Sequence, residues 1–169
     1  RAAAGLFSLP SMGEQGRMNR IHNDPAGPSP STSSELLSEI FSTAWMCEYA
    51  RLWNAEQAMV RELTRQRFSA TVGYGFPDHP DPQGLLVVVR GSAEWAGPYD
   101  GRELDWDLRA AAEDWTRWLR QGFELSRLLL AVSTHRLQIR KGDHRRILRK
   151  PPLVGALLRA FALMPEVRL

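Results

Sequence analysis

The residues that could do chemistry are few, and their spacing points away from catalysis. Four histidines are present, His22, His79, His135 and His144. None shows metal-ligand spacing, and none is paired with a cysteine or carboxylate in the manner of a catalytic dyad. His79 lies in a proline-rich turn and His135 at a strand entrance, so surface or turn positions account for all four. Cys47 is the one cysteine, which excludes a disulfide framework and a cysteine-based zinc cluster. Among helix-face residues it reads as a small buried hydrophobe. The sequence contains no G-x-S-x-G elbow, no P-loop and no G-x-G-x-x-G fingerprint.

Two charge patterns remain. Glu103, Asp105 and Asp107 share one face of a strand about 7 Å apart, close enough to hold a cation or to work as paired carboxylates. Their alternation with Leu104, Trp106 and Leu108 equally describes the wet face of a half-buried strand, and that reading is preferred. From Arg136 to Lys150 seven basic residues stand against Asp143 alone. Such a run suits an anionic partner as well as a solvated face. No aromatic interrupts it for base stacking, so no nucleic acid is expected. Arg140, Lys141, Arg145 and Arg146 become the candidate contacts to an anionic headgroup or membrane surface.

The elements that must position these residues follow from periodicity. Thr32-x-x-Glu35 fits a capping box, and Leu37, Ile40, Phe41, Ala44 and Trp45 then repeat at helical spacing. Asn54-x-x-Gln57 marks a second helix start. Phe68 to Phe76 alternates as a strand, with Ser69, Thr71, Gly73 and Gly75 on a wet or closely approached face. Leu85 to Arg90 reads as a central strand and Glu94 to Tyr99 as a shorter one, closed by an Asp100-Gly101 hairpin turn. Glu103 to Arg109 is a half-buried strand. Glu113, Asp114, Trp115, Trp118 and Leu119 form a helix ended by Gly122, and Leu125 to Val132 a further short one. Arg136 to Arg140 is the last strand. Gly142-Asp143 supplies a turn and a helix cap, and Pro151-Pro152 opens a final helix with a stripe of Val154, Leu157, Leu158, Phe161 and Met164, stopped by Pro165. This order is α+β, a mostly antiparallel sheet covered on one face by helices.

The chain has 169 residues, 43% of them hydrophobic and 24% charged, with a net charge of +3. That is the profile of one soluble domain. No apolar run approaches the roughly 18 residues that cross a bilayer. Residues 1–34, rich in proline, glycine and serine, read as a disordered or loosely attached arm, and 35–169 as the domain. Ala2 to Leu9 is too short for a signal peptide, and a cytoplasmic location is expected. Six tryptophans are many for this length. Trp45, Met46, Trp106, Trp115, Trp118, Phe161 and Met164 could all face one interior, where flat side chains either fill a core or line an apolar cavity. The residues themselves leave both outcomes open.

The segment Leu104-Asp105-Trp106-Asp107-Leu108-Arg109-Ala110, followed by Glu113-Asp114-Trp115, Leu119 and Gly122, resembles the sterol carrier protein-2 (SCP2) pattern. Arg136-Leu137-Gln138-Ile139-Arg140-Lys141-Gly142-Asp143 is similar to that family's Lys-Leu-x-Ile-x-Gly-Asp strand and turn. The resemblance spans Glu35 to Val167 and is carried mainly from Leu104 onward. His135 stands where the family has glycine, and Lys141 adds a residue before Gly142. The resemblance implies a five-stranded sheet and a hydrophobic tunnel beneath the helices. It also implies non-catalytic binding of a sterol, fatty acid or acyl-CoA, with no cofactor. The expected lining is Trp45, Phe68, Trp106, Trp115, Trp118, Leu128, Leu157, Phe161 and Met164. Two other readings are open: a cone-shaped α+β enzyme of the NTF2-like or cyclase type, using Asp105 or Asp107 with a histidine, and an interaction module using residues 136–150.

Overall fold

The structure is a computed structural model that describes residues 39–169. The expected arm over 1–34 and the Thr32-x-x-Glu35 cap lie outside them. The helical stripe expected through Ile40 and Phe41 is broken at Phe41, whose φ of 63° is left-handed. Helix α1 (Thr43–Ala55) begins instead at Ser42, whose hydroxyl accepts a hydrogen bond from the Trp45 N–H at 3.2 Å. The bend sends the Phe41 ring into the core, stacked on Tyr74 and edge-on to Trp115. Helix α2 (Gln57–Arg65) follows directly and buries Met59 and Leu63. Asn54, expected to cap it, sits in the last turn of α1, and its amide brackets both backbone groups of Ala93 at 2.8 Å. Cys47 is exposed rather than buried.

Five strands form one sheet in the order β3-β2-β1-β4-β5. They are β1 (Ala70–Gly75), β2 (Gly84–Val89), β3 (Ser92–Pro98), β4 (Trp106–Ala110) and β5 (Leu137–Lys141). The sheet is mixed, because β1 and β4 run parallel while the other pairings are antiparallel. β1 and β2 stand between β3 and β4, so Asp100-Gly101 turns a crossover and not a hairpin. The tight hairpin joins β2 to β3 through Arg90 and Gly91, both with positive φ as a two-residue primed turn requires.

Helices α3 (Ala112–Gln121), α4 (Leu125–Ser133), α5 (His144–Leu148) and α6 (Pro151–Leu163) join α1 and α2 on one face. Glu113 and Asp114 stand in the first turn of α3, and Gly122, at φ 78°, ends it. Ala70, Val72 and Tyr74 of β1, Leu86 and Val88 of β2, and Leu108 and Ala110 of β4 face the helices. Among the described residues no helix is long and apolar enough to cross a membrane.

The opposite face is not simply wet. The loop between β1 and β2 folds back over it, admitted by Gly73, where a Cβ would stand 2.9 Å from Pro82 Cγ. Arg109, expected on a solvated face, is 1% exposed. Its guanidinium pairs with Asp107 and donates to the carbonyls of Phe76, His79 and Asp81 at 3.0–3.1 Å. A buried guanidinium requires such full pairing. Leu104 also lies on this side, against Gly73, because β4 starts only at Trp106.

The two departures from the SCP2 pattern have local causes. Asp107 aligns with Lys141 and Leu108 with Ile139, so Arg140 is the extra residue of a β-bulge. His135 is in the left-handed region at φ 58°, where glycine carries no steric penalty. Because His135 is exposed, His135→Gly is expected to raise stability by about 1 kcal/mol; thermal unfolding checks this, and a lowered Tm would show that the imidazole holds something.

Burial pushes the Tyr49 and Tyr74 phenols well above their ordinary value. Below pH of about 10 both folded and unfolded chains keep these protons, so pH has no effect through them. Above it the unfolded chain releases protons that the fold retains, and stability falls as pH rises towards the raised folded values. Melting curves from pH 9 to 11.5, on an approximate scale set by the ordinary tyrosine value, should show this decline. Tyr49→Phe/Tyr74→Phe should flatten it, and an undiminished slope in that variant contradicts the assignment.

Candidate functional site

Between the helices and the β1–β4–β5 half of the sheet lies a cavity of about 140 Å³. Its floor is Val72 and Tyr74 from β1, Trp106 and Leu108 from β4, and Leu137 and Ile139 from β5. α4 contributes Leu125, Leu128, Leu129 and Val132, and α5 contributes His144, Ile147 and Leu148. Tyr49, Trp53 and Phe68 close one end.

The space exists because α6 has two apolar faces. Leu153, Ala156, Ala160 and Leu163 are buried in the core, and the small alanines bring the helix close enough for the Tyr49 hydroxyl to donate to Ala160 O at 3.0 Å. The second face, Val154, Leu157, Leu158 and Phe161, looks into the cavity. Opposite it, α4 fully buries only Ala131, and its Leu125, Leu128, Leu129 and Val132 face the open space. Leu125, Leu129 and Leu148 both line the cavity and are 41–44% exposed, which places its mouth between α4 and α5.

The chemistry of the lining is nearly all apolar. It holds one imidazole, His144, and no carboxylate, lysine or arginine. The polar tips of Tyr49 and Trp53 are occupied by the carbonyls of Ala160 and Gly91. The three strand acids are engaged elsewhere: Asp105 accepts from the Thr71 N–H at 2.7 Å, Asp107 pairs with Arg109, and Glu103 meets Lys141 at 2.9 Å. Asp105 therefore does not point inward near a histidine, the geometry that the enzyme reading needs. Among the described residues no cluster of His, Cys, Asp and Glu could hold a metal ion.

Of the expected lining residues, the structure brings Phe68, Trp106, Leu128, Leu157 and Phe161 to the cavity. Trp45, Trp115, Trp118 and Met164 do not reach it. They pack at the far end of the helix layer, where Trp115 meets Phe41 and Trp118 edge-on and its indole N–H donates to Gly75 O at 3.0 Å. Trp45 lies between Phe41 and Tyr49, and Met164 is fully buried in the 3-10 turn after α6. Tyr49, Trp53 and most of α4 were not singled out by sequence. Val72, Tyr74 and Leu108 carried a signal in their strand alternation, because residues two apart share a face.

The basic run divides. Arg136 pairs with Asp114, Lys141 with Glu103, and Arg140 donates to the carbonyls of Pro77 and His79 at 2.6 and 3.3 Å. Arg140 thus holds the β1–β2 loop, while Lys141 stands in an exposed surface pair with Glu103. Arg145 and Arg146, on α5, are exposed and have no side-chain partner among the described residues.

Comparison with solved structures places this architecture. A crystal structure of sterol carrier protein 2 matches with a TM-score of 0.61 and 22% identity, over 77% of this chain and 100% of that one. The solution structure of a conserved hypothetical protein from Thermus thermophilus, whose description offers sterol carrier protein as its identity, matches with a TM-score of 0.57 and 19% identity. That match covers 75% of this chain and 90% of the other. No family model matches the sequence, and no curated protein matches it. The chain therefore has the sterol carrier protein 2 fold, an α+β layer with a five-stranded mixed sheet.

One glycine supports the cavity floor. Gly142 has φ 121°, and a Cβ there would run into the Trp106 ring. Asp143 then caps α5, accepting from the Arg146 N–H at 3.1 Å. Gly142→Ala should displace Trp106 and cost about 3 kcal/mol, combining a positive-φ penalty with overpacking. Denaturant unfolding measures this, and a cost near zero would mean that Trp106 is free to swing away.

Proposed function

We propose that this chain is a non-catalytic carrier that holds the apolar part of a lipid, such as a fatty acid, sterol or acyl-CoA, in the cavity. One observation carries the reading: a lining of aliphatic and aromatic side chains that opens to solvent between exposed leucines. The sterol carrier protein named among the structural matches supports it. A dry cavity of this volume takes a group about the size of benzene, roughly six carbons, so a longer tail or ring system extends through the mouth. Burying that part yields about 0.8 kcal/mol per CH₂, roughly 5 kcal/mol, from which association removes several. Binding is accordingly loose and selective by volume. His144, the one imidazole in the lining, is where the polar end of the ligand sits.

The test is native mass spectrometry of the chain with palmitate, a sterol and an acyl-CoA, together with displacement of a fluorescent fatty acid. Leu157→Trp, which fills the cavity, should weaken binding at least tenfold, an approximate figure from the methylene contacts it displaces. If the unaltered chain takes up none of the three ligands, the carrier reading fails. If Leu157→Trp binds as well as the parent, the lipid sits elsewhere.

A further inference from the structure

Helix α4 is unusual for a surface helix. Leu125, Leu129 and Leu130 are 41%, 43% and 61% exposed, and Leu148 on α5 is 44% exposed. Isolated exposed leucines need no explanation, but a contiguous set marks an interaction surface. Three of these four also line the cavity, so the exposed patch is continuous with its mouth.

The surroundings of the patch are basic. Arg145, Arg146, Arg149 and Lys150 are exposed and have no side-chain partner among the described residues. Arg145 and Arg149 are four residues apart, on the flank of α5 next to Leu148. The nearby acids are Glu124, which faces Arg127 at 3.7 Å, and Asp143, which caps α5. Leucines set among unpaired cations are the pattern of an element that lies in a membrane interface.

We propose that this rim docks on a bilayer carrying anionic headgroups. The leucines of α4 and α5 enter the headgroup–acyl boundary, Arg145, Arg149 and Lys150 meet lipid phosphates, and the mouth faces the hydrocarbon. This rests on the carrier reading, since a lipid tail then passes into the cavity without crossing water. A second copy of the chain is disfavoured as the occupant, because a symmetric contact would set one basic rim against another.

The test is flotation with phosphatidylcholine vesicles containing or lacking phosphatidylserine. The full chain should bind only the anionic vesicles, and binding should fall with added salt. Arg145→Gln/Arg149→Gln should reduce binding roughly 25-fold, at about fivefold per basic residue near an anionic surface. Leu129→Ser/Leu130→Ser should reduce it at least tenfold, an approximate loss for two inserted side chains. Both pairs are exposed, and unchanged melting curves confirm folding. Leu157→Trp should lose fatty-acid binding and keep vesicle binding, so failure of the carrier reading is seen apart from failure of docking. Equal binding to neutral vesicles, no binding at all, or full binding by both rim variants overturns the proposal. So does a dimer in lipid-free solution that the leucine substitutions abolish.

Discussion

Three hydrogen bonds from buried aromatic side chains join the elements on which the rest of this structure depends. Trp53 Nε1 donates to Gly91 O and Trp115 Nε1 to Gly75 O, so α1 and α3 are each tied by an indole to the sheet or its turn. The Tyr49 hydroxyl ties α1 to α6 through Ala160 O. Large rings with a polar tip are rigid spacers when the tip is satisfied, because both the area and the hydrogen bond are lost if the layer shifts. The two indoles thus fix α1 and α3 against the sheet, and the Tyr49 hydroxyl fixes α6 beside α1. Where aromatic side chains crowd between helices and sheet, around Phe41, Tyr74 and Trp115, the space is filled. Where the leucines and valines of α4 and α6 face the sheet with Phe161 and Trp106 beside them, a cavity is left.

The other face of the sheet has a different solution to the same demand for cover. A sheet too small to be wrapped by helices on both sides uses the β1–β2 loop, and Arg109 holds it by its carbonyls. Arg140, freed from the ladder by the bulge, reaches the same loop from β5. Positive charge that a sequence reading assigns to an external partner is thus partly internal wiring. Within residues 136–150, the stretch after Asp143 holds the cations that have no side-chain partner among the described residues.

The cavity itself carries a single imidazole, His144, and no carboxylate, lysine or arginine. A dry volume with an opening costs stability, and the surrounding layer must supply it. The densely packed aromatic end and the pinned loop provide that support. α4, which buries only Ala131, and the five-residue α5, which buries no residue, are the thinly anchored part of the wall at the mouth.

Much of this was legible in the residues alone. Helix and strand order, the Glu113-Asp114 start and Gly122 stop of α3, the Asp143 cap and the Pro151-Pro152 opening of α6 depend on neighbours within a few positions, and local sequence determines such features. So did the resemblance that pointed to a five-stranded sheet. The parallel β1–β4 pairing, the burial of Arg109 and the loop over Gly73 depend on contacts far apart in sequence, which no periodicity records. The site divided along the same line. Phe68, Trp106, Leu128, Leu157 and Phe161 line the cavity, but nothing in sequence separates them from Trp45, Trp115, Trp118 and Met164, which are equally apolar and equally inward. Inwardness is a one-dimensional pattern. Whether an inward side chain meets another ring or an empty volume is decided only by how the helices stand over the sheet and beside one another, which tertiary contacts such as the Trp53, Trp115 and Tyr49 hydrogen bonds fix.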